Sequence, residues 1–200
     1  MSNEITVKLK CSIEEMYNIL ENKGFKIVDK YFLDDTYYIS KDLDITKLSP
    51  REVLNHYILI RKIKQYESSD FTSSYDIIKM TYKNKDIAPN GDIISQEKVD
   101  CEIKNLEQGK SFIKAIEYKE IMNIRESSLV YGKNGLEIAI KDIENGDNLI
   151  EVEIVENNER LDTVDKLKQM IRELEIPIDE SDFFVKKAEK ELKKILGDRE

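Results

Sequence analysis

Glu151 and Glu153 stand two residues apart in Asn-Leu-Ile-Glu-Val-Glu-Ile-Val-Glu, residues 148–156. In a strand they leave one face while Ile150, Val152 and Ile154 leave the other. Two such carboxylates can hold a hard divalent cation. They can equally sit in water on an ordinary half-solvated strand, which is the commoner case for one strand taken alone. Repetition changes that weighting. Glu4, Thr6 and Lys8 oppose Ile5, Val7 and Leu9; Lys79, Thr81 and Lys83 oppose Ile78, Met80 and Tyr82. Lys98, Asp100 and Glu102 oppose Val99, Cys101 and Ile103, so several strands carry charges of both signs on one face. Enclosed in a lumen, such a mixed-sign face is expected to be a ligand and metal site.

Other chemistries lack their parts. His56 is the only histidine, so a nucleophile–histidine arrangement could be built only around it, and its Pro-started helical surroundings favour a structural role. Neither GxxxxGK[ST] nor GxGxxG occurs, which removes the glycine loops that cradle phosphates. Cys11 and Cys101 form no CxxC pair and read as two reduced thiols. Any metal would therefore be held by oxygen, pointing to Mg²⁺, Mn²⁺ or Ca²⁺ rather than zinc.

The elements that must carry these residues follow from pattern. Ser12-Ile-Glu-Glu15 starts a helix with Ile13, Met16, Ile19 and Leu20 inward, ending at Gly24. Strands are predicted over 4–10, 26–39, 57–65, 76–87, 94–105, 119–131, 136–143 and 148–156. Ser49-Pro50-Arg51-Glu52 begins a short helix, and another around 109–117 turns Phe112, Ile113 and Ile116 inward. A Ser-rich loop spans 67–74, and turns fall at 89–92, 132–135 and 145–147. Strand 119–131 shows no clear parity. Two closing helices present Val164, Leu167, Ile171 and Leu174, then Phe184, Ala188, Leu192 and Ile195. Tyr31, Phe32 and Phe184 read as core.

Two hundred residues with 40% apolar and 36% charged content suffice for one domain with a real core. The net charge of −9 argues against nucleic acid as partner. No apolar run approaches membrane-spanning length and the first residues carry no apolar signal core, so the expectation is a cytoplasmic protein. Helices need the strands' oily faces, which leaves the charged faces in water or inside a closed barrel. Alternation alone does not choose between an open sheet and a barrel. In the open form the charges would be cross-strand ion pairs worth about 0.2–1 kcal/mol each.

With these motifs in place, the chain resembles the CYTH-domain proteins, the triphosphate tunnel superfamily of class IV adenylyl cyclases, thiamine triphosphatases and inorganic triphosphatases. Glu4-Ile-Thr6-Val-Lys8 stands for its ExExK strand, and Asp29-Lys-Tyr31-Phe32-Leu-Asp34 for its D-x-Y-F-x-D strand. Ile60-Arg61, Met80-Thr81-Tyr-Lys83 and Lys98-Val-Asp100-Cys-Glu102 match the next three motifs. Ile140-Lys-Asp142-Ile and Leu149-Ile-Glu151-Val-Glu153 match the final hairpin. Each motif is weak singly; their order over about residues 4–155 is what carries the likeness.

The resemblance implies an α+β fold: an eight-stranded antiparallel β-barrel, or triphosphate tunnel, with helices packed outside. One domain would span 1–200, its strands about 4–156 and its C-terminal helices about 160–197. It implies a divalent-metal-dependent triphosphatase, with a class IV adenylyl cyclase or a non-catalytic triphosphate-binding module as alternatives. Metal, Mg²⁺ or Mn²⁺, would sit on Glu4, Glu102, Glu151 and Glu153, with Asp100 close behind. Lys8, Arg61, Lys83, Lys98 and Arg125 would bind the triphosphate, with Lys79 beside them. Catalysis would fall to Glu4, Lys8, Glu102 and Glu153. The implied partner is a small-molecule triphosphate, with neither nucleic acid nor membrane; a homodimer is the assembly considered. Thr6, Leu59 and Lys141 depart from the pattern, standing where a glutamate, an arginine and an aspartate are usual.

Overall fold

The computed structural model describes residues 4–68, 70–87, 93–155, 158–159 and 161–197. The expected turn at 89–92 and the strand end at Glu156 lie outside them. Eight strands are described: β1 (Glu4–Lys8), β2 (Lys26–Ser40), β3 (His56–Tyr66), β4 (Ser74–Ile87), β5 (Ile93–Glu102), β6 (Tyr118–Lys133), β7 (Leu136–Ile143) and β8 (Leu149–Glu153). Five helices accompany them: α1 (Ile13–Asn22), α2 (Pro50–Val53), α3 (Leu106–Ala115), α4 (Val164–Glu173) and α5 (Lys187–Leu196). The strands form one sheet in the order β1-β8-β7-β6-β2-β3-β4-β5. The fold is α+β, and its described ladders are antiparallel. A β1–β5 ladder that would close the sheet is not among them.

The chain divides into two compact units. The first comprises Met1–Phe32, Tyr66–Ser74 and Glu126–Lys186; the second comprises Leu33–Gln65, Tyr75–Arg125 and Lys187–Glu200. In the first, the strand alternation does what it promised. Ile5 and Val7 of β1, Ile138 and Ile140 of β7, and Ile150 and Val152 of β8 are all buried. They pack with Met16 and Leu20 of α1 and with Leu167 and Ile171 of α4 in one cluster. Ser12 caps α1 by accepting from Glu15 N at 3.1 Å, satisfying one of the amides a helix start leaves open. Between β6 and β7 the two-residue loop Asn134-Gly135 has φ of +52° and +79°. This is the turn that matches strand twist, and it pairs Lys133 with Leu136.

In the second unit Tyr38, Ile58, Ile60 and Ile113 form a smaller cluster, with Ile78, Met80 and Tyr82 packed against it. Gly109 of α3 allows a close approach, since a Cβ there would meet Ile103 Cδ1 at 2.4 Å. Ser49 and Glu52 complete a reciprocal capping box on α2.

Several expectations need correction. Phe112 and Ile116 are exposed, and only Ile113 of that trio is buried. Val99 and Cys101 are exposed as well. The reason is position: β5 ends the sheet order and has β4 as its one described neighbour. Phe184 belongs to no helix. Residues 183–185 run beside β1, with Thr6 N donating to Phe183 O and Val185 N to Thr6 O, both at 3.0 Å. Extended backbone alternates, so Phe183 and Val185 are buried and Phe184 faces out. Of the remaining α5 positions expected inward, Leu192 is buried while Ile195 is exposed. β8 stops at Glu153, short of Ile154. Among the described residues no helix is long and apolar enough to cross a membrane.

The α3 correction has a measurable consequence. Ile113→Ala should destabilise the protein by about 2–5 kcal/mol, the range for opening a cavity under a buried branched side chain. Phe112→Ala should change stability by no more than about 0.5 kcal/mol. Equal losses in a denaturant titration would contradict this assignment of the helix faces.

Candidate functional site

The β1–β8 ladder sets Glu4 opposite Glu153 and Thr6 opposite Glu151. Directly opposed residues share a face. One carboxylate oxygen from each of Glu4, Glu151 and Glu153 lies within 4.8 Å of the others. Burial and then the Glu151 and Glu153 charges raise the Glu4 pKa above its ordinary value, partly countered by Lys141. Like charges held this close favour a cation among them. Three hard oxygen donors are a suitable set for Mg²⁺ or Mn²⁺. A cavity of about 510 Å³ adjoins them, lined in part by Tyr31, Glu137, Ala139, Glu151 and Glu153.

Register brings in residues no local pattern announced. Lys141 of β7 lies opposite Ser128 of β6 and opposite Leu149 of β8. Its Nζ is 2.6 Å from Glu151 Oε2 and 3.9 Å from Glu126 Oε1, and its side chain is only 12% exposed. Glu126 is buried, and its Oε1 accepts from Ser128 Oγ at 2.8 Å. Burial alone would lower the Lys141 pKa, but the Glu126 and Glu151 carboxylates outweigh it and raise the value. Glu126 and Ser128 also explain why β6 had no legible parity: they occupy the same alternating positions as buried Met122 and Ile124. Lys8 goes elsewhere in this unit, its Nζ 2.6 Å from Asp147 Oδ1 in the β7–β8 connection.

The second unit holds the cations. Arg61 makes a two-pronged pair with Asp35, Nε to Oδ1 and Nη2 to Oδ2, each 2.7 Å. Asp35 is fully buried, and Lys187 Nζ lies 3.6 Å from its Oδ2. Such a fork fixes the guanidinium plane. Lys83 stands opposite Lys98, Thr81 opposite Asp100 and Lys79 opposite Glu102. Lys98 Nζ is 2.6 Å from Asp100 Oδ2, and Thr81 Oγ1 donates to Asp100 Oδ1 at 2.6 Å. These two bonds hold the Asp100 pKa below the usual carboxylate value. Lys83 and Lys85 stand over the Tyr57 ring, 5.9 and 5.6 Å from its centre. Burial, then the charges of Lys85, Lys98 and Arg61, lower the Lys83 pKa. This is a crowding of positive charge that an anion would compensate.

Of the residues the sequence singled out, Glu4, Glu151 and Glu153 come together, as do Arg61, Lys83 and Lys98. Glu102 stands on exposed β5 in the other unit from the three glutamates. Arg125 joins neither set: its Nε lies 3.7 Å from Asp34, beside Asn123, which donates to the same carboxylate. Asp35, Lys85, Glu126 and Lys187 were missed. Lys85 could have been found, being two residues beyond Lys83 in the same strand.

No family model matches the chain. A Methanocaldococcus jannaschii protein described as a "putative adenylate cyclase" is 26% identical over 182 residues, covering 88% of this chain and 92% of that one. The Pyrococcus horikoshii PH1819 protein superposes with a TM-score of 0.63 at 18% identity, covering 96% of this chain and 98% of its own. A Vibrio parahaemolyticus structure, also titled a "putative adenylate cyclase", gives 0.57 at 12% identity and 96% coverage of each chain. The chain is thus similar in sequence to a protein described as a "putative adenylate cyclase", and it shares its fold with these solved structures.

The departures from the expected motifs now have surroundings. Thr6 faces Glu151 without adding a carboxylate. Leu59 is buried between Tyr57 and Arg61 on their strand face, where it adds no charge. Lys141 brings a cation to the glutamates.

The crowding of Lys83 predicts its response to an anion. Lys83→Met should weaken tripolyphosphate binding about tenfold, the loss of one charge-assisted contact, while raising the melting temperature of the anion-free protein. Tripolyphosphate needs the protonated amine, and a lowered pKa sheds that proton early. Wild-type affinity should therefore start to fall below pH 10.5, the ordinary lysine value. Calorimetric titrations across pH check both; unchanged affinity in Lys83→Met would remove Lys83 from the binding set.

Proposed function

We propose that the chain is a divalent-metal-dependent triphosphatase acting on inorganic triphosphate or a nucleoside triphosphate. The observation that carries the reading is the gathering of Glu4, Glu151 and Glu153 in a chain that resembles the CYTH-domain proteins. Arg61, Lys83 and Lys98, joined by Lys85, bind the phosphate oxygens, because a triphosphate leaves water only against several fixed cations. Asp35 orients Arg61. Glu4, Glu151 and Glu153 would hold Mg²⁺ or Mn²⁺. When bound, that ion supplies charge neutralisation at the phosphate oxygens. Glu153, which is not bound to Lys141, orients the attacking water and takes its proton as the new P–O bond forms. The bond to the terminal phosphorus breaks opposite, and orthophosphate leaves together with pyrophosphate from inorganic triphosphate, or with the nucleoside diphosphate from a nucleoside triphosphate.

The description of the M. jannaschii relative favours a second reading, an adenylyl cyclase. There the ribose 3′-hydroxyl of ATP attacks the α-phosphorus and pyrophosphate leaves. The cation set would serve either reaction. The Lys141–Glu151 pair favours a third, a triphosphate-binding module without turnover.

Phosphate release from tripolyphosphate and from ATP, with Mg²⁺ or Mn²⁺, separates the three. The account predicts release from at least one, reduced about tenfold or more in Glu151→Gln and in Glu153→Gln, with melting temperatures near wild type. Cyclic AMP formed without phosphate release would install the cyclase. Stabilisation by tripolyphosphate without either product would leave the binding module.

A further inference from the structure

The two ends of the sheet are finished differently. At β1 the chain covers its own edge within the first unit: Thr6 N donates to Phe183 O, Val185 N to Thr6 O, and Asp179 N to Lys8 O. At β5 the strand order stops, and β4 is its one described neighbour. Every residue from 95 to 102 is exposed, Val99 at 55%. The devices that usually blunt such an edge are sparse here. The β4–β5 register runs without a shift from Lys79–Glu102 to Asp86–Ser95, so no bulge turns this stretch away, and no proline interrupts it. Which backbone groups look outward follows from the ladder. Ile103 N donates to Ile78 O, so by alternation Cys101 and Val99 also direct their N–H and C=O groups to β4. The N–H and C=O groups of Lys98 and Asp100 then point to the open edge.

We propose that two copies of this chain associate through the β5 edge, each adding its β5 antiparallel to the other across a two-fold axis at Val99. Strand addition at a bare edge is a general mode of recognition, and a two-fold pair needs a strand that complements itself. Residues 97–101, Glu-Lys-Val-Asp-Cys, meet that need. Centred on Val99, each Lys98 faces the Asp100 of the other copy, and each Glu97 faces a Cys101. Opposite charges directly across a ladder stabilise it, and like charges destabilise it. Moving the centre by one residue sets Lys98 against Lys98 or Asp100 against Asp100, so the charges choose one register. Lys98 and Asp100 already pair within one chain at 2.6 Å, but their side chains are 50% and 43% exposed. An ammonium with three donors can bond a carboxylate on each side. The backbone agrees with this register: Lys98 and Asp100 form the hydrogen-bonded pairs, and Val99 forms the close pair between them. The Val99 side chain, in water in the single chain, then lies against its copy.

Sedimentation equilibrium and disulfide trapping test this. Wild type should approach twice the chain's mass as its concentration rises. Asp100→Lys, which sets lysines across from each other, should stay monomeric, and Lys98→Asp combined with Asp100→Lys should recover the dimer. In a close pair the two Cα atoms stand about 4.5 Å apart, inside the range a disulfide spans. Val99→Cys, in a chain that also carries Cys11→Ser and Cys101→Ser, should therefore oxidise to a covalent dimer. The chain that keeps Cys101 and carries only Cys11→Ser should not, because its Cys101 faces Glu97. Val99 and Cys101 are exposed, so changing them leaves the core untouched. Wild type that stays monomeric at every concentration would overturn the proposal. So would a dimer that Asp100→Lys leaves intact, or one trapped through Cys101 and not through Val99→Cys.

Discussion

A charge taken out of water must meet an opposite charge or cost several kcal/mol, and two acids among the described residues, Asp35 and Glu126, are buried almost completely. Asp35 is met by the forked Arg61 and by Lys187; Glu126 is met by Lys141 and Ser128. These are the fixed points of the two charged faces. Each unit puts its oily strand face against helices, so the remaining face has to carry what is polar, and buried acids decide which way the polar groups point. Arg61 is held in one plane, Lys141 is tied to Glu151, and the groups around them inherit the arrangement. Apolar residues of similar size at Asp35 and Arg61 could have been as stable. Keeping the ions makes sense if their orientation is used.

The two faces differ in sign, and the difference follows from register. In the first unit Glu4, Glu151 and Glu153 converge, with Lys141 bonded to Glu151 and Lys186 acting on Glu4. In the second, Lys83 faces Lys98 across the β4–β5 ladder and Arg61 lies close enough to lower the Lys83 pKa, leaving an excess of positive charge. An acidic group that wants a divalent cation and a basic group that wants an anion are the two requirements of a metal-assisted reaction on a polyphosphate. Each set is strained in the absence of its ligand: Glu4 binds its proton more tightly than usual and Lys83 less tightly. Ligand binding would relieve both.

What was legible in the sequence was what depends on spacing within one strand. Glu151 and Glu153 could be put on one face because even spacing in a strand is unambiguous. Glu4 was joined to them, and Arg61, Lys83 and Lys98 were singled out, through the order of motifs that resembles the CYTH-domain proteins. What needed register between strands stayed hidden. Nothing near Lys141 in sequence says that Glu126 and Glu151 are its neighbours, and nothing marks Asp35 rather than adjacent Asp34 as the buried acid. β6 concealed its alternation by putting Glu126 and Ser128 where apolar residues would have shown it. Phe183 and Phe184 could exchange roles because the backbone there is extended and not helical, which turns every inference about its faces by one residue. On β5 the alternation is present in sequence, but an end strand gives Val99 no helix to meet.

The central proposal is that the chain binds a triphosphate together with a divalent ion. Its most direct test is a calorimetric titration of tripolyphosphate into the protein with and without Mg²⁺, for wild type and for Glu153→Gln. If anion and ion binding are linked, the coupling must be reciprocal. The account predicts that Mg²⁺ tightens tripolyphosphate binding by wild type and that Glu153→Gln abolishes this gain while keeping the Mg²⁺-free affinity. Equal affinities with and without Mg²⁺, or the same gain in Glu153→Gln, would contradict it.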